Sequence, residues 1–465
     1  MDLLKGLYGD NLETVTRINK NYEIYEGKQK WLINENLDYE PTQKITNFIK
    51  KLVDTKARFM FGNEPFLDIR TTKTDAEDST TFQDEAQEKE DLLNRIMREN
   101  HFHSKLLKAK KDCSIGGRVA IKLWGHTEKG IKIIFVPAQE FFPTYNIDDI
   151  DVLEKITFLY SMNNEDTTSK QRFNKQEWEL INGVCYLNEG IYNGGGDLVE
   201  TIESDYNTSL DFIPVIVIQN GGLTGETEGV SDVEQLWGNQ DAYNKLISDD
   251  IDSLKFNMFP QRVSTDANVS SLEHMKIAPG ALIDLQTDLA QSSQGRQAKL
   301  EIVESGFSYS EKFQDTVNRT KNDMFDLVDV PNVSLDQLKG LMTSGKSMKT
   351  LYWGLIIATN EELVEWKTAI QQLVDYIFRM VDKYDCYKSR KIARYETSLL
   401  IENTYPISED ELAQKEIDLK EVIAEVRSRE SYINKWQDTE NVEKELEKIR
   451  LEKQILEQDN YEVGE

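Results

Sequence analysis

The chain has 465 residues, with 83 Asp+Glu against 55 Lys+Arg and a formal net charge of −28. That length suits two to four structural regions around a sizeable core, and 39% hydrophobic with 30% charged residues lies away from both the membrane and the fully disordered extremes. Holding nucleic acid by neutralising phosphates needs a cationic surface, so the acidity excludes a whole-molecule DNA binder and leaves room only for a local basic groove.

No run approaches the ~18 apolar residues that a membrane helix requires. The opening residues Met1-Asp2-Leu3-Leu4-Lys5-Gly6 lack a basic segment followed by an apolar stretch, so no secretory signal is expected. Cys113, Cys185 and Cys386 lie far apart without CxxC spacing, which points to reduced, inert thiols. His101 and His103 form an HxH pair, but no third metal ligand is evident.

In chain order, the first 60 residues read as helix, loop, helix. Ile45, Phe48, Ile49, Leu52 and Val53 recur at helical spacing after Pro41-Thr42, which marks a helix start. Phe66–Ile69 is strand-like, residues 72–90 read as a polar, acidic loop, and helices are expected at about 84–100 and 102–113. A β-rich block opens at Gly116-Gly117 with a hairpin, 119–124 and 131–135, followed by short strands near 139–145, 155–161, 175–181 and 184–192. Residues 193–197 read as a turn and 212–218 as a core strand with Pro214 near its start.

Residues 231–257 form a helix opening at Ser231-Asp232, with Val233, Leu236, Trp237, Tyr243, Ile247, Ile251 and Leu254 as its apolar stripe and Phe259-Pro260 as its end. A mixed segment follows, with a strand at 281–285 and a polar turn at 291–297. Then come a helix at about 308–328, a loop after Pro331, a very long helix at about 346–384, a strand near 391–401, and a charged helical region from Ser408 to about 458.

Gly340-Leu341-Met342-Thr343-Ser344-Gly345-Lys346-Ser347 fits GxxxxGK[ST], the loop whose amides cradle phosphates while its Lys reaches the terminal ones. Such a loop must follow a buried strand of a parallel sheet, and Pro331–Lys339 is interrupted and polar. The nearest Walker B candidate, Leu399–Glu402, follows a long helix with no βαβ pattern between. A Gly-containing loop entering a helix satisfies the same letters. No GxSxG, HExxH or Cys/His pair offers an alternative, so no catalytic, cofactor or metal residue is expected and the chain reads as a non-enzyme.

Four stretches taken together resemble the portal proteins of tailed bacteriophages, the head–tail connectors of the type common in phages of Gram-positive hosts. They are Lys56–Pro65; Gly229–Glu234 with Asp241–Ser248; Ser344–Lys349, where Lys346 and Ser347 are more polar than is usual; and Asn403–Pro406 with Ser428–Ile433. The resemblance implies an α+β, mostly helical, elongated subunit with wing, stem, clip and crown regions. Twelve copies would form a ring around a central channel. The corresponding regions are N-terminal helices and wing at 1–230, a first stem helix at 231–257, clip at 258–306, second stem helix at 307–328, tunnel loop at 329–346, long wing helix and returning strand at 347–402, and crown with acidic tail at 403–465.

It further implies a virion location at a capsid vertex after assembly in the host cytoplasm. The implied partners are other copies of the chain, the terminase large subunit, a head–tail adaptor, major capsid and scaffolding proteins, and double-stranded DNA passing through without sequence-specific binding. No membrane is involved. A strongly negative lumen would repel phosphates and let DNA move. Lys312, Arg319, Lys321, Lys339, Lys346 and Lys349 are the channel and tunnel-loop candidates, and equally could pair with neighbouring acids. Arg262, His274, Lys276 and Arg296 are the clip candidates for partner docking. The competing readings are a P-loop NTPase, such as a packaging-motor subunit, and a capsid-associated scaffold with no channel.

Overall fold

The structure, a computed structural model, describes residues 5–33, 39–72, 79–162, 171–258, 261–270, 285–303, 309–333, 345–387, 392–407, 411–424, 426, 428–436, 446 and 448–450. The chain divides into two compact units: Met1–Asn332 with Leu355–Tyr405, and Val333–Gly354 with Pro406–Glu465. Helix and strand are mixed, and helix has the larger share.

In the first unit the helices are α1 (Lys5–Tyr8), α2 (Leu12–Tyr25), α3 (Phe48–Phe61), α4 (Ser79–Glu99), α5 (Phe102–Gly116) and α6 (Asp232–Met258). They are followed by α7 (Leu289–Ser292), α8 (Ser310–Asp326) and, after α9 (Gly345–Leu351) of the second unit, the long α10 (Trp353–Tyr384), which belongs to the first unit from Leu355 on. The three-stranded sheet β3-β2-β9 (Gly130–Pro137, Arg118–His126, Val215–Gln219) sits at the centre. Its β2 shows no alternation: Val119, Ala120, Ile121 and Leu123 are all buried, as expected of a strand covered on both faces. Leu106, Ala109 and Cys113 of α5 and Trp366, Ile370, Leu373, Ile377 and Phe378 of α10 join the same core.

A five-stranded antiparallel sheet, β4 to β8 in order (Phe141–Tyr145, Leu153–Ser161, Arg172–Ile181, Val184–Asn193, Leu198–Asn207), adds Phe158, Trp178 and Leu187 to that core. Leu7 and Val15 cover it from the N-terminal helices, packing against Phe142, Leu159 and Phe173. Two ribbons complete the unit: β1 (Phe66–Thr71) with β12 (Thr397–Glu402), and β10 (Gln261–Thr265) with β11 (Lys299–Val303). In the second unit, α11 (Glu411–Ile423) and α12 (Arg429–Trp436) meet where Asp418 accepts from the Trp436 indole at 3.0 Å and pairs with Lys435 at 2.7 Å. No helix among the described residues is long and apolar enough to cross a membrane.

Several expectations need correction. The helix expected from about 84 starts earlier, so residues 79–83 are helix, not loop: α4 begins at Ser79, with Asp84, Glu88 and Asp91 on the solvent side of a stripe that buries Ala86, Leu93, Ile96 and Met97. Residues 41–47 are not helical; Asn47 caps α3 by accepting from Lys50 N–H at 3.1 Å, which leaves Ile45 outside. Strand β8 carries no sequence signal, since all ten of its residues are exposed and impose no alternation. The core strand starts at Val215, after Pro214 rather than around it. The long helix is interrupted at Tyr352, and the C-terminal helical region breaks between Ile423 and Arg429. Phe259-Pro260 and residues 281–284 of the expected strand lie outside the described residues.

Candidate functional site

Helix α6 begins where three local devices converge. Gly117 closes α5 with φ of +81°, its N–H bonding Cys113 O at 2.8 Å, and Gly229 passes so close that a Cβ on either would meet the other's carbonyl. Asn220 N–H donates to Gly117 O at 2.8 Å and Val230 N–H to Asn220 O at 2.9 Å, which folds the 220–230 loop back onto the start of β2. Ser231 then caps α6: its hydroxyl donates to Ile115 O at 2.6 Å and accepts from Val233 N–H at 3.2 Å.

This placement delivers Asp232 into a buried cluster of four charges. Lys56 of α3 bonds Asp232 at 3.0 Å and Glu362 of α10 at 2.8 Å; Lys110 of α5 bonds Glu362 at 2.8 Å, Asn220 Oδ1 at 2.9 Å and Ser114 Oγ at 3.0 Å. Asn220 Nδ2 donates to Asp232 at 3.2 Å, closing the ring. Lys110 is fully buried, and Lys56 and Asp232 nearly so. Burial alone would raise the Glu362 carboxyl, but the Lys110 and Lys56 ammoniums overrule it and hold it down at about 2. Burial would likewise lower Lys56, and its two carboxylate partners raise it instead. Two lysines against two carboxylates leave the cluster neutral, so it ties four helices together and has no unpaired group to drive chemistry. Over it lies a cleft of about 540 Å³ edged by Gln219–Thr224, Glu361 and Glu365.

Along the rest of α6 the buried face is polar. Gln240, Asn244, Ser248 and Asp252 are each buried, whereas Leu254 of the expected apolar stripe is exposed. Their acceptors meet the backbone of residues 42–49: Thr42 N–H to Asp252 at 2.8 Å, Lys44 N–H to Ser248 at 3.0 Å, Thr46 N–H to Asn244 at 3.0 Å, and Phe48 N–H to Gln240 at 2.8 Å. Helix α8 packs on a different side of α6, where Phe48 sets its ring edge-on to both Tyr243 and Phe325.

The channel candidates are thereby located in part. Lys312 and Arg319 are exposed on α8. Lys321, on the same helix, is half-buried with its ammonium over the rings of Phe48 and Phe325. Lys349 is exposed on α9. Lys339 lies outside the described residues, as does the Lys346 side chain. Among the clip candidates, Arg296 is exposed and donates to Gln291 Oε1 at 3.4 Å, and Arg262 stands on β10 opposite Ile302. The Arg262 side chain, His274 and Lys276 lie outside the described residues.

Cys113 and Cys185 are buried thiols, pushed up by that burial to about 12 and about 11. His103 faces Phe61 O at 2.9 Å, and no group of three metal-ligating side chains occurs among the described residues. The P-loop reading loses its scaffold: every described strand pairing is antiparallel, and residues 330–333 before the loop form no strand.

No curated protein matches the chain. Two solved structures resemble it in part: the neck of an empty gene transfer agent (GTA) particle, with 9% identity and a TM-score of 0.42 over 83% of this chain and 87% of that one, and the virion of a native GTA particle, with 10% identity and a TM-score of 0.40 over 84% and 92%. The family model for "Phage portal protein, SPP1 Gp6-like" matches residues 4–459, nearly the whole length, and the chain therefore belongs to that family of phage portal proteins.

Proposed function

We propose that this portal protein acts as a ring of twelve copies at one capsid vertex. The ring is a conduit for double-stranded DNA during packaging and ejection, and a platform for the terminase large subunit, a head–tail adaptor, and the major capsid and scaffolding proteins. The observation that carries this reading is family membership across residues 4–459. In this scheme α6 and α8 are the stem, residues 258–306 the clip, 329–346 the tunnel loop, 347–402 the wing helix with its returning strand, and the region from 403 the crown.

The charge suits that role. A net −28 per chain makes an assembled lumen that repels phosphates, so DNA slides without being held. Arg319 and Lys312, exposed on α8, and Lys349, exposed on α9, are the described candidates for transient contact with the duplex. Lys321 acts mainly within the subunit, on Phe48 and Phe325. Arg296 and Arg262 belong to the partner-docking clip, together with His274 and Lys276. The energy for DNA movement comes from the partner motor, the chain itself is not an enzyme, and assembly takes place in the host cytoplasm before incorporation into the virion.

Negative-stain imaging of the purified protein tests the reading. Rings with a central hole are expected; monomers or closed shells overturn it. ATP hydrolysis by the isolated chain, abolished by Lys346→Ala, would instead restore the motor alternative.

A further inference from the structure

The buried polar face of α6 matches an extended chain in its repeat. Gln240, Asn244, Ser248 and Asp252 recur every four residues, about 6 Å along a helix axis. Thr42, Lys44, Thr46 and Phe48 recur every two residues, about 6.6 Å along an extended backbone. The near-equality lets four alternate amides each find a side-chain acceptor.

The rungs are also internally complete. Gln240 accepts from Phe48 and Ile49 N–H (2.8 and 3.3 Å) and donates to Thr46 O and Asn244 Oδ1 (2.8 and 3.0 Å). It thus satisfies the first two amides of α3, which have no partner within their own helix. Asn244 donates onward to Gln29 Oε1 at 2.8 Å. Ser248 donates to Asn244 O at 2.7 Å while accepting from Lys44, which fixes its rotamer. On the strap side the four donors in register are backbone amides, and the Thr42 hydroxyl adds a second hydrogen bond to Asp252.

We propose that residues 41–48 are a strap, and that Gln240, Asn244, Ser248 and Asp252 are positioning residues that set which face of α6 the assembled ring presents to its interior. This rests on α6 being a stem helix. With one side taken by the strap and another by α8, the face left open carries Gly238, Ala242, Lys245 and Asp249, all exposed.

Two measurements test the strap. In the isolated chain, hydrogen exchange at the Lys44 amide is slow in the wild type and in Ser248→Thr, and at least about tenfold faster in Ser248→Ala. A Lys44 amide already unprotected in the wild type overturns the strap. In assembled rings, spin labels at Lys245→Cys give one narrow distance distribution between neighbours. Ser248→Ala widens it and Ser248→Thr restores it. A fall in melting temperature with an unchanged distribution shows that the rungs merely stabilise, and overturns the positioning role. If wild-type chains form no ring, the conduit reading falls and the positioning role with it, while the Lys44 result still decides whether the strap holds the helix.

Discussion

At its N-terminal end α6 is tied down by charge, with Asp232 against Lys56 and, through Lys56, Glu362 and Lys110. Further along it is held by two amides and a hydroxyl, with Asp252 as the one charged rung. Both ends bury polar groups, but the consequences of error differ. A buried ion left without its partner retains its full desolvation cost, whereas a neutral rung loses one hydrogen bond at a time. The charged end therefore suits a junction that must not open, where four helices meet. The neutral end suits a long contact that tolerates small adjustments.

That contrast can be broken in order of expected effect. Glu362→Ala strands Lys110 and weakens Lys56, and should cost about 3–5 kcal/mol in urea unfolding. A cost no larger than that of a neutral rung would erase the distinction. The second test is pH. Because the Glu362 carboxyl is held at about 2, below its ordinary value, its contribution is fully present above the unfolded carboxylate range and is lost as pH falls from about 4.5 toward 2. The stability gap between wild type and Glu362→Gln should close over that window, as followed by circular dichroism.

Gln240→Ala takes the acceptor from Ile49 N–H and leaves Phe48 N–H and Thr46 O only each other at 3.0 Å; it should cost about 1–3 kcal/mol, and Ser248→Ala about 1 kcal/mol. Smallest is the contrast within α8. Lys321→Ala removes a cation from two ring faces and should cost about 0.5–1 kcal/mol, while Arg319→Ala stays within about 0.5 kcal/mol of wild type by thermal unfolding.

Much of the architecture is legible from residue patterns. The hairpin of β2 and β3 and the strands β5 to β7 follow from short apolar, β-branched runs bounded by turn residues, and the start of α6 from its capping residue Ser231. The charged cluster is not legible in the same way, although it leaves a signal. Lys56 stands in the stripe Ile49, Leu52, Val53, Met60; Lys110 stands beside Leu106 and Cys113; Glu362 stands beside Leu355, Leu363 and Trp366. A charge at a core position of an apolar stripe asks for a buried counter-charge, but the stripe does not say which of many carboxylates supplies it.

The sequence by itself determined that this chain is acidic, mixed in helix and strand, free of the familiar catalytic motifs in their proper context, and, through the order of four short stretches, a portal-family member. Only the tertiary structure decided which face of α6 is buried and by what. Hydrophobic periodicity finds surfaces that avoid water. The face carrying Gln240, Asn244, Ser248 and Asp252 is buried for the opposite reason, because it replaces water at the backbone of a segment some 200 residues away in the chain.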